Sequence, residues 1–196
     1  MSLILVRHGQ TAVNAEGRLQ GRIDAPLTDL GHRQAAAAAT AVVGAGRVVT
    51  SPLLRARETA AELVPTGVVA DVDQRWIELD YGEWDGQLLQ SMPLEDWERW
   101  RLDPHFAPPG GESLVDLARR VEEACEGLVD EARHRDVVVV SHVSPIKAAV
   151  AWALGVGPET SWRMFLGVAA ISRITIGPRG PSLSSYNEVG HLAALA

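Results

Sequence analysis

The stretch LVRHG, residues 5–9, closes the first apolar run of the chain, and VVVVSH, residues 137–142, closes the fourth. Both runs are apolar at successive positions rather than alternate ones, the pattern of parallel strands buried on both faces. Ligands of open α/β sheets bind just outside the carboxyl ends of such strands, so His8 and His142 are expected over one crevice. A third run, residues 47–50, is followed by SPLLR, which brings Arg55 towards the same rim. With Arg7 beside His8, the crevice gains two guanidiniums and two imidazoles. That set suits a phosphate dianion and a nucleophile that attacks it.

Working outward, strands are expected at 3–6, 47–50, 68–72, 136–140, 170–176 and 182–186, the last two split by the turn GPRGP at 177–181. Thr28 can cap a helix running through Val43, whose alanine run, Ala35 to Ala39, has high helix propensity. A second helix spans 54–64 and is stopped by Pro65. After PPGGES, residues 108–113, apolar residues from Leu114 to Ala132 recur at spacings of three and four, and Ser113 with Asp116 resembles a capping box. Alternating strands and helices predict an α/β fold, a three-layer α/β/α sandwich whose central sheet is mostly parallel with one antiparallel edge strand. Residues 1–196 are expected to form one domain, with 76–109 as an excursion over the active-site edge. That excursion carries Trp76, Trp84, Trp97 and Trp100 among charged residues. They either wall a pocket under a lid or pack a small helical subcore.

The formal net charge of -7, from 18 Lys and Arg against 25 Asp and Glu, disfavours nucleic acid and anionic membrane surfaces as partners, so an anionic ligand must be held by local cations. Cys125 is the only cysteine and falls on the apolar stripe of a helix, which points to a reducing compartment. The start, MSLILVRHG, has only four apolar residues between Ser2 and Arg7, too few for a signal sequence or membrane span, and a cytoplasmic protein is expected. Residues 148–156 with Trp152, and 162–166, suit either a core or the surface of a homodimer.

For a phosphoryl group, an imidazole nitrogen is a competent nucleophile when a hydrogen bond to the other ring nitrogen fixes the tautomer. For His8 the Gly9 carbonyl can supply that bond, and glycine lets the backbone turn sharply. Buried phosphate needs fixed bidentate donors, which Arg7 and Arg55 provide. Asn14, Gln20 and the backbone at Gly21 can complete the cage with neutral donors. A general acid is also needed to protonate the leaving oxygen. Glu78, in WIELDYGEWDG, is the first choice, with Asp80, Glu83 and Asp85 as competitors. No HxxxH or HExxH pattern joins the histidines, and no metal is expected. For the leaving group, Trp84, Trp97, Trp100 and Leu88 favour an apolar or aromatic ester, whereas Arg99, Arg101 and His105 favour a second anionic group.

The segment LVRHGQTAVNAEGRLQGRIDAPLTDLGHRQA at 5–35, with SPLLRARETA, ELDYGEWDG, PPGGES and VVVVSH in that order, resembles the histidine phosphatase superfamily, which includes cofactor-dependent phosphoglycerate mutases and many small-molecule phosphatases. The resemblance implies a phosphoglycerate mutase-like fold and hydrolysis of a small phosphorylated metabolite without metal or organic cofactor. It implies further that His8 is phosphorylated and then dephosphorylated by water, that Arg7, Arg55 and His142 hold the transferring group, and that Glu78 acts as acid and then base. Asn14, Gln20 and Gly21 match positions lining the phosphate pocket. The chain departs from the pattern at Val143, where the family usually has glycine; Ser144 is the substitute donor. SHVSPIK at 141–147 is similar to some alpha-ribazole phosphatase-like members. A phosphoglycerate mutase is the alternative, since Glu78 and Tyr81 fit that pattern too. Mutases, however, carry a longer insertion with a lysine and paired arginines, and here 87–109 has only Arg99 and Arg101 as cations, with no lysine. A second alternative, a non-catalytic phospholigand sensor, would be favoured by loss of His8, Arg7, Arg55, Glu78 or His142, and all five are present.

Overall fold

The computed structural model describes residues 1–44, 46–65 and 69–195 of the chain. Six strands, β1 Ser2–Arg7, β2 Arg47–Thr50, β3 Asp71–Val72, β4 Val137–Ser141, β5 Ile171–Gly177 and β6 Gly180–Glu188, form one sheet in the order β3-β2-β4-β1-β5-β6. β3, β2, β4 and β1 run parallel, and the antiparallel edge is the β5–β6 hairpin, in which β5 pairs antiparallel with both its neighbours. The strand expected at 68–72 is shorter: Val68 lies outside the described residues, and pairing is confined to Asp71 and Val72, both exposed at the sheet edge.

Among the described residues, helices α1 Ala12–Ala15, α2 Asp29–Ala41, α3 Leu54–Leu63, α4 Leu94–Leu102, α5 Leu114–Ala132 and α6 Val143–Leu154 surround the sheet. Alternate side chains of the central strands enter opposite cores, as the pleat requires. Leu3, Leu5, Val137 and Val139 pack with Leu117, Val121, Cys125 and Ile146 of α5 and α6. Ile4, Val6, Val138 and Val140 pack with Ala38 of α2 and with Ala56 and Ala60 of α3. Alanines on that side let two helices lie close to the sheet and to each other. This explains the alanine run, of which Ala35 and Ala38 are fully buried. The helix ends before Val43, which is 84% exposed. The N-terminus of α5 is capped one way only: Ser113 Oγ accepts the Asp116 amide, while the Asp116 carboxylate takes the Ser113 hydroxyl rather than its backbone N–H. Of 148–156, Ala148 to Ala151 are core, Trp152 packs against it, and Leu154 and Val156 are exposed.

The parallel register decides where the chemistry sits. Arg7 lies opposite Ser141 across β1 and β4, and Thr50 opposite Val140 across β2 and β4. β1 and β4 therefore end level and β2 one residue earlier, and the next residues, His8, His142 and Ser51, leave the same edge of the sheet. Backbone bonds from His8 N to Ser141 O and from Ser51 N to Val140 O, each 3.0 Å, continue the ladder one step past the strands. The loop after His8 then presses on the start of α2, where a Cβ on Gly9 would lie 2.3 Å from Gly31 O and one on Gly31 2.2 Å from Gln10 O. Close approach, rather than the sharp turn expected from the sequence, is what requires glycine at position 9.

Residues 76–109 are tied down at several points. Leu19 and Gly86 to Gln87 exchange backbone bonds of 2.9 Å, and Glu83 N donates to Pro109 O at 2.9 Å. Its tryptophans divide between the main core and the wall of a cavity. Trp76 is wholly buried and Trp84 nearly so, between Trp100 and Phe106. Trp97 and Trp100 stack 5.5 Å apart and reach a cavity beside Val143 and Ser144, where Trp162 joins them.

Truncating the α5 core anchor Leu117→Ala is expected to cost about 2–5 kcal/mol, whereas Val43→Ala stays within about 0.5 kcal/mol; urea unfolding of the two variants checks the contrast. A Leu117→Ala loss no larger than that of Val43→Ala would contradict the packing described.

Candidate active site

Arg55, the second residue of α3, is fully buried, and each of its three side-chain nitrogens has a partner. Its Nη1 donates to Ile23 O and its Nη2 to Gly21 O, each at 2.8 Å. Its single Nε–H is shared between His8 Nε2 and His142 Nδ1, each 3.2 Å away. A guanidinium only donates, so both ring nitrogens are acceptors. His8 Nδ1 lies 2.7 Å from the Gly9 carbonyl, which only accepts; His8 is therefore the Nδ1–H tautomer with its lone pair on Nε2. His142 is the opposite tautomer, its Nε2–H donating to Ser51 Oγ at 2.6 Å. The two rings lie 5.1 Å apart between centroids. Burial first, and Arg55 second, hold both imidazoles well below their ordinary pKa, so both are neutral at physiological pH.

Arg7 reaches the site from the last position of β1. One Nη donates to Leu166 O at 2.7 Å, and its Nε is buried without a protein partner. Burial lowers its pKa to about 10, and Glu78 opposes that fall, so the guanidinium remains charged at neutral pH. Glu78, itself buried, is the acidic group that most strongly stabilises the charge on both arginines. It does not follow the third strand directly, as the sequence suggested, but arrives through a 3-10 turn, Gln74–Trp76. Its Oε1 accepts the Leu79 amide at 2.7 Å and the Ser144 amide at 3.2 Å. Of its competitors, Glu83 is exposed and the other two are engaged elsewhere. Asp80 accepts the Gly82 amide, and the Asp85 carboxylate accepts the amides of Gly21, Arg22 and Ile23 at 2.7–2.9 Å.

The sequence reading of Gly21 as a backbone donor needs correction: its N–H is committed to Asp85, and its carbonyl is what anchors Arg55. A Cβ there would lie 2.7 Å from Leu79 O, so close approach keeps the position small. Asn14 and Gln20 are brought together, Gln20 Oε1 accepting from Asn14 Nδ2 at 3.1 Å and from Thr11 Oγ1 at 2.6 Å. Thr11 and Asn14 form the capping box of α1. Val143 is the first residue of α6, so its N–H is one of the helix's unpaired N-terminal donors, and the branched side chain leaves that backbone helical. The Ser144 hydroxyl lies 3.4 Å from Tyr81 Oη, while its amide serves Glu78.

Four supporting residues were missed. Ser51 fixes the His142 tautomer. Thr59 accepts the Gly9 amide at 3.1 Å and donates to Arg55 O. Asp24 caps α3 by accepting the Leu54 amide at 2.6 Å. Lys147, one turn into α6, enters the cavity of Trp97 and Trp100. Only Ser51, directly after an apolar strand, left a positional signal. Among the described residues no group of three or more His, Cys, Asp or Glu is arranged to hold a metal ion. The two arginines of 87–109 are not part of the site: Arg99 lies 4.6 Å over the Phe106 ring, and Arg101 lines a separate cleft with Glu98 and Glu159.

Comparison with known proteins gives this arrangement a lineage. Residues 3–189 match the family model of the histidine phosphatase superfamily (branch 1). The chain is 34% identical to phosphoserine phosphatase 1 of Hydrogenobacter thermophilus, covering 98% of its own length and 94% of that protein's. It superposes on mycobacterial glucosyl-3-phosphoglycerate phosphatase with a TM-score of 0.87 at 33% identity, over 96% of this chain and 99% of that one. The alpha-ribazole phosphatase of Shigella flexneri gives 0.84 at 27% identity, over 96% of each. The chain spans about half, 54%, of the length of the mycobacterial relatives to which it is 36% identical, a bifunctional protein of Mycobacterium tuberculosis among them. Carrying the family's sequence over nearly its whole length, the chain belongs to the histidine phosphatase superfamily.

Proposed function

We propose that the chain is a phosphomonoester hydrolase that acts on a small phosphorylated metabolite through a phosphohistidine on His8. The observation that carries this reading is the Nδ1–H tautomer of a neutral His8, which leaves the Nε2 lone pair in a crevice shared with Arg7, Arg55 and His142. In the first step Nε2 attacks phosphorus, the ester P–O bond breaks, and Glu78 gives its proton to the departing oxygen. In the second step Glu78 takes a proton from water, whose oxygen attacks phosphorus as the N–P bond breaks. Inorganic phosphate leaves and the starting protonation states return. The shared Nε–H of Arg55 is the donor a phosphoryl group would take over, with the Arg7 guanidinium as the second cation, in a site where burial strengthens such bonds. Ser51 holds the His142 ring by its Nε2–H, which leaves His142 Nδ1 turned to Arg55.

The names of the relatives support a metabolite-sized substrate, and the positions of Arg99 and Arg101 favour hydrolysis over mutase activity, which needs a grip on a second anion in that segment. The lone thiol, Cys125, is core-buried with its pKa raised by burial, which suits a reducing cytoplasm.

His8→Ala should lower phosphate release at least a thousandfold in EDTA while leaving the melting temperature within a few degrees; retained turnover would remove His8 from the nucleophile role. Glu78→Gln should slow alkyl phosphates at least tenfold more than p-nitrophenyl phosphate, whose leaving group needs little protonation, and equal losses would exclude the acid role. The His8 ring should stay neutral as pH falls through 6.5, because burial and Arg55 both oppose its protonation. An NMR titration showing a midpoint at or above 6.5 would contradict the site electrostatics.

A further inference from the structure

Beside the phosphoryl site lies a cavity of about 290 Å³, walled by Trp97, Trp100 and Trp162 and reached past Tyr81 and Ser144. Its polar lining consists of the hydroxyl groups of Tyr81, Ser144 and Ser161 and the Lys147 side chain, set among tryptophan rings. Lys147, four residues after Val143 and so on the same face of α6, brings a half-buried ammonium to the same cavity. The charges it faces are Glu78, tied by the Leu79 and Ser144 amides, and Arg7. Arg7 and Arg55 flank the phosphoryl site, and Lys147 is a further cation on the side that would face the remainder of the substrate. The cations that the sequence offered for a second anion, Arg99, Arg101 and His105, lie over Phe106, in another cleft and in solvent.

Resting on the hydrolase reading above, we propose that Lys147 binds a carboxylate on the alcohol portion of the substrate, so that the protein selects phosphorylated acids. The tryptophan faces would flank the carbon skeleton that joins the two anionic ends. Lys147 is then a specificity residue, and no proton or bond of the reaction passes through it.

The test compares 4-carboxyphenyl phosphate with phenyl phosphate, two aryl esters of similar leaving group that differ by the carboxylate. The wild type is expected to favour the carboxylated ester at least tenfold in kcat/KM. Lys147→Met should shrink that ratio tenfold or more, chiefly through KM, and Lys147→Arg should restore most of it. In parallel, 4-hydroxybenzoate should quench tryptophan fluorescence saturably in the wild type, and Lys147→Met should weaken its binding at least fivefold. No preference in the wild type, or equal proportional losses on both esters in Lys147→Met, would overturn the proposal. Absence of His8-dependent phosphate release from either ester would overturn the hydrolase reading instead, and the fluorescence titration would still decide whether Lys147 binds the carboxylate. Matching melting temperatures for the three proteins exclude a folding defect.

Discussion

A fully buried guanidinium is among the most demanding groups a small domain can hold, and here Arg55 is the group around which the crevice is assembled. Its nitrogens must find acceptors, since leaving one partner of a buried charged network unpaired costs about 3–5 kcal/mol. Arg55 finds them in two backbone carbonyls of the 20–27 loop and two imidazole nitrogens. The loop is held to that task by carboxylates that play no part in the chemistry: Asp85 takes three of its amides, Asp24 ties it to α3, and Glu58 accepts the Leu27 amide at 2.8 Å. The same interaction fixes both histidine tautomers, since His8 Nε2 and His142 Nδ1 both accept from it.

Charge organisation follows from this. Burial and two arginines depress both imidazoles, and the arginines are opposed chiefly by Glu78, so the crevice carries excess positive charge inside a chain of net charge -7. An anion is drawn to it by local rather than global charge. Lys147 extends that excess past Ser144 into the tryptophan cavity, joining the phosphoryl site to the region that would hold the rest of the substrate.

The aromatic cluster shows how one sequence feature can serve two purposes. Trp100 is almost fully buried, with Tyr81, Trp84, Trp97 and Trp162 each within 6 Å between ring centroids. Trp76 and Trp84 are core. Trp97, Trp100 and Trp162 form a wall, and the third comes from outside the excursion altogether. Tryptophan content alone could not separate these roles, because packing interiors and binding walls use the same rings and differ only in what lies on the far face.

Strand order is not written in a sequence, yet LVRHG and VVVVSH located the two histidines correctly, because a strand buried on both faces has no polar position to spare and its first polar residues mark its end. Local propensity likewise placed α5, whose apolar spacing and Ser113 cap are complete in themselves. The partners were illegible where they are distant in sequence: Gly21 was read as a donor because nothing nearby reveals that Asp85, 64 residues on, consumes its amide. Lys147 passed unnoticed because a single lysine at a helix's second turn has no local signature. By itself the sequence determined which side chains stand at the strand ends, since burial and periodicity act within a few residues. Only the tertiary structure decided which of their donors and acceptors are spent and which remain free, because hydrogen-bond satisfaction is settled by groups that meet through the fold.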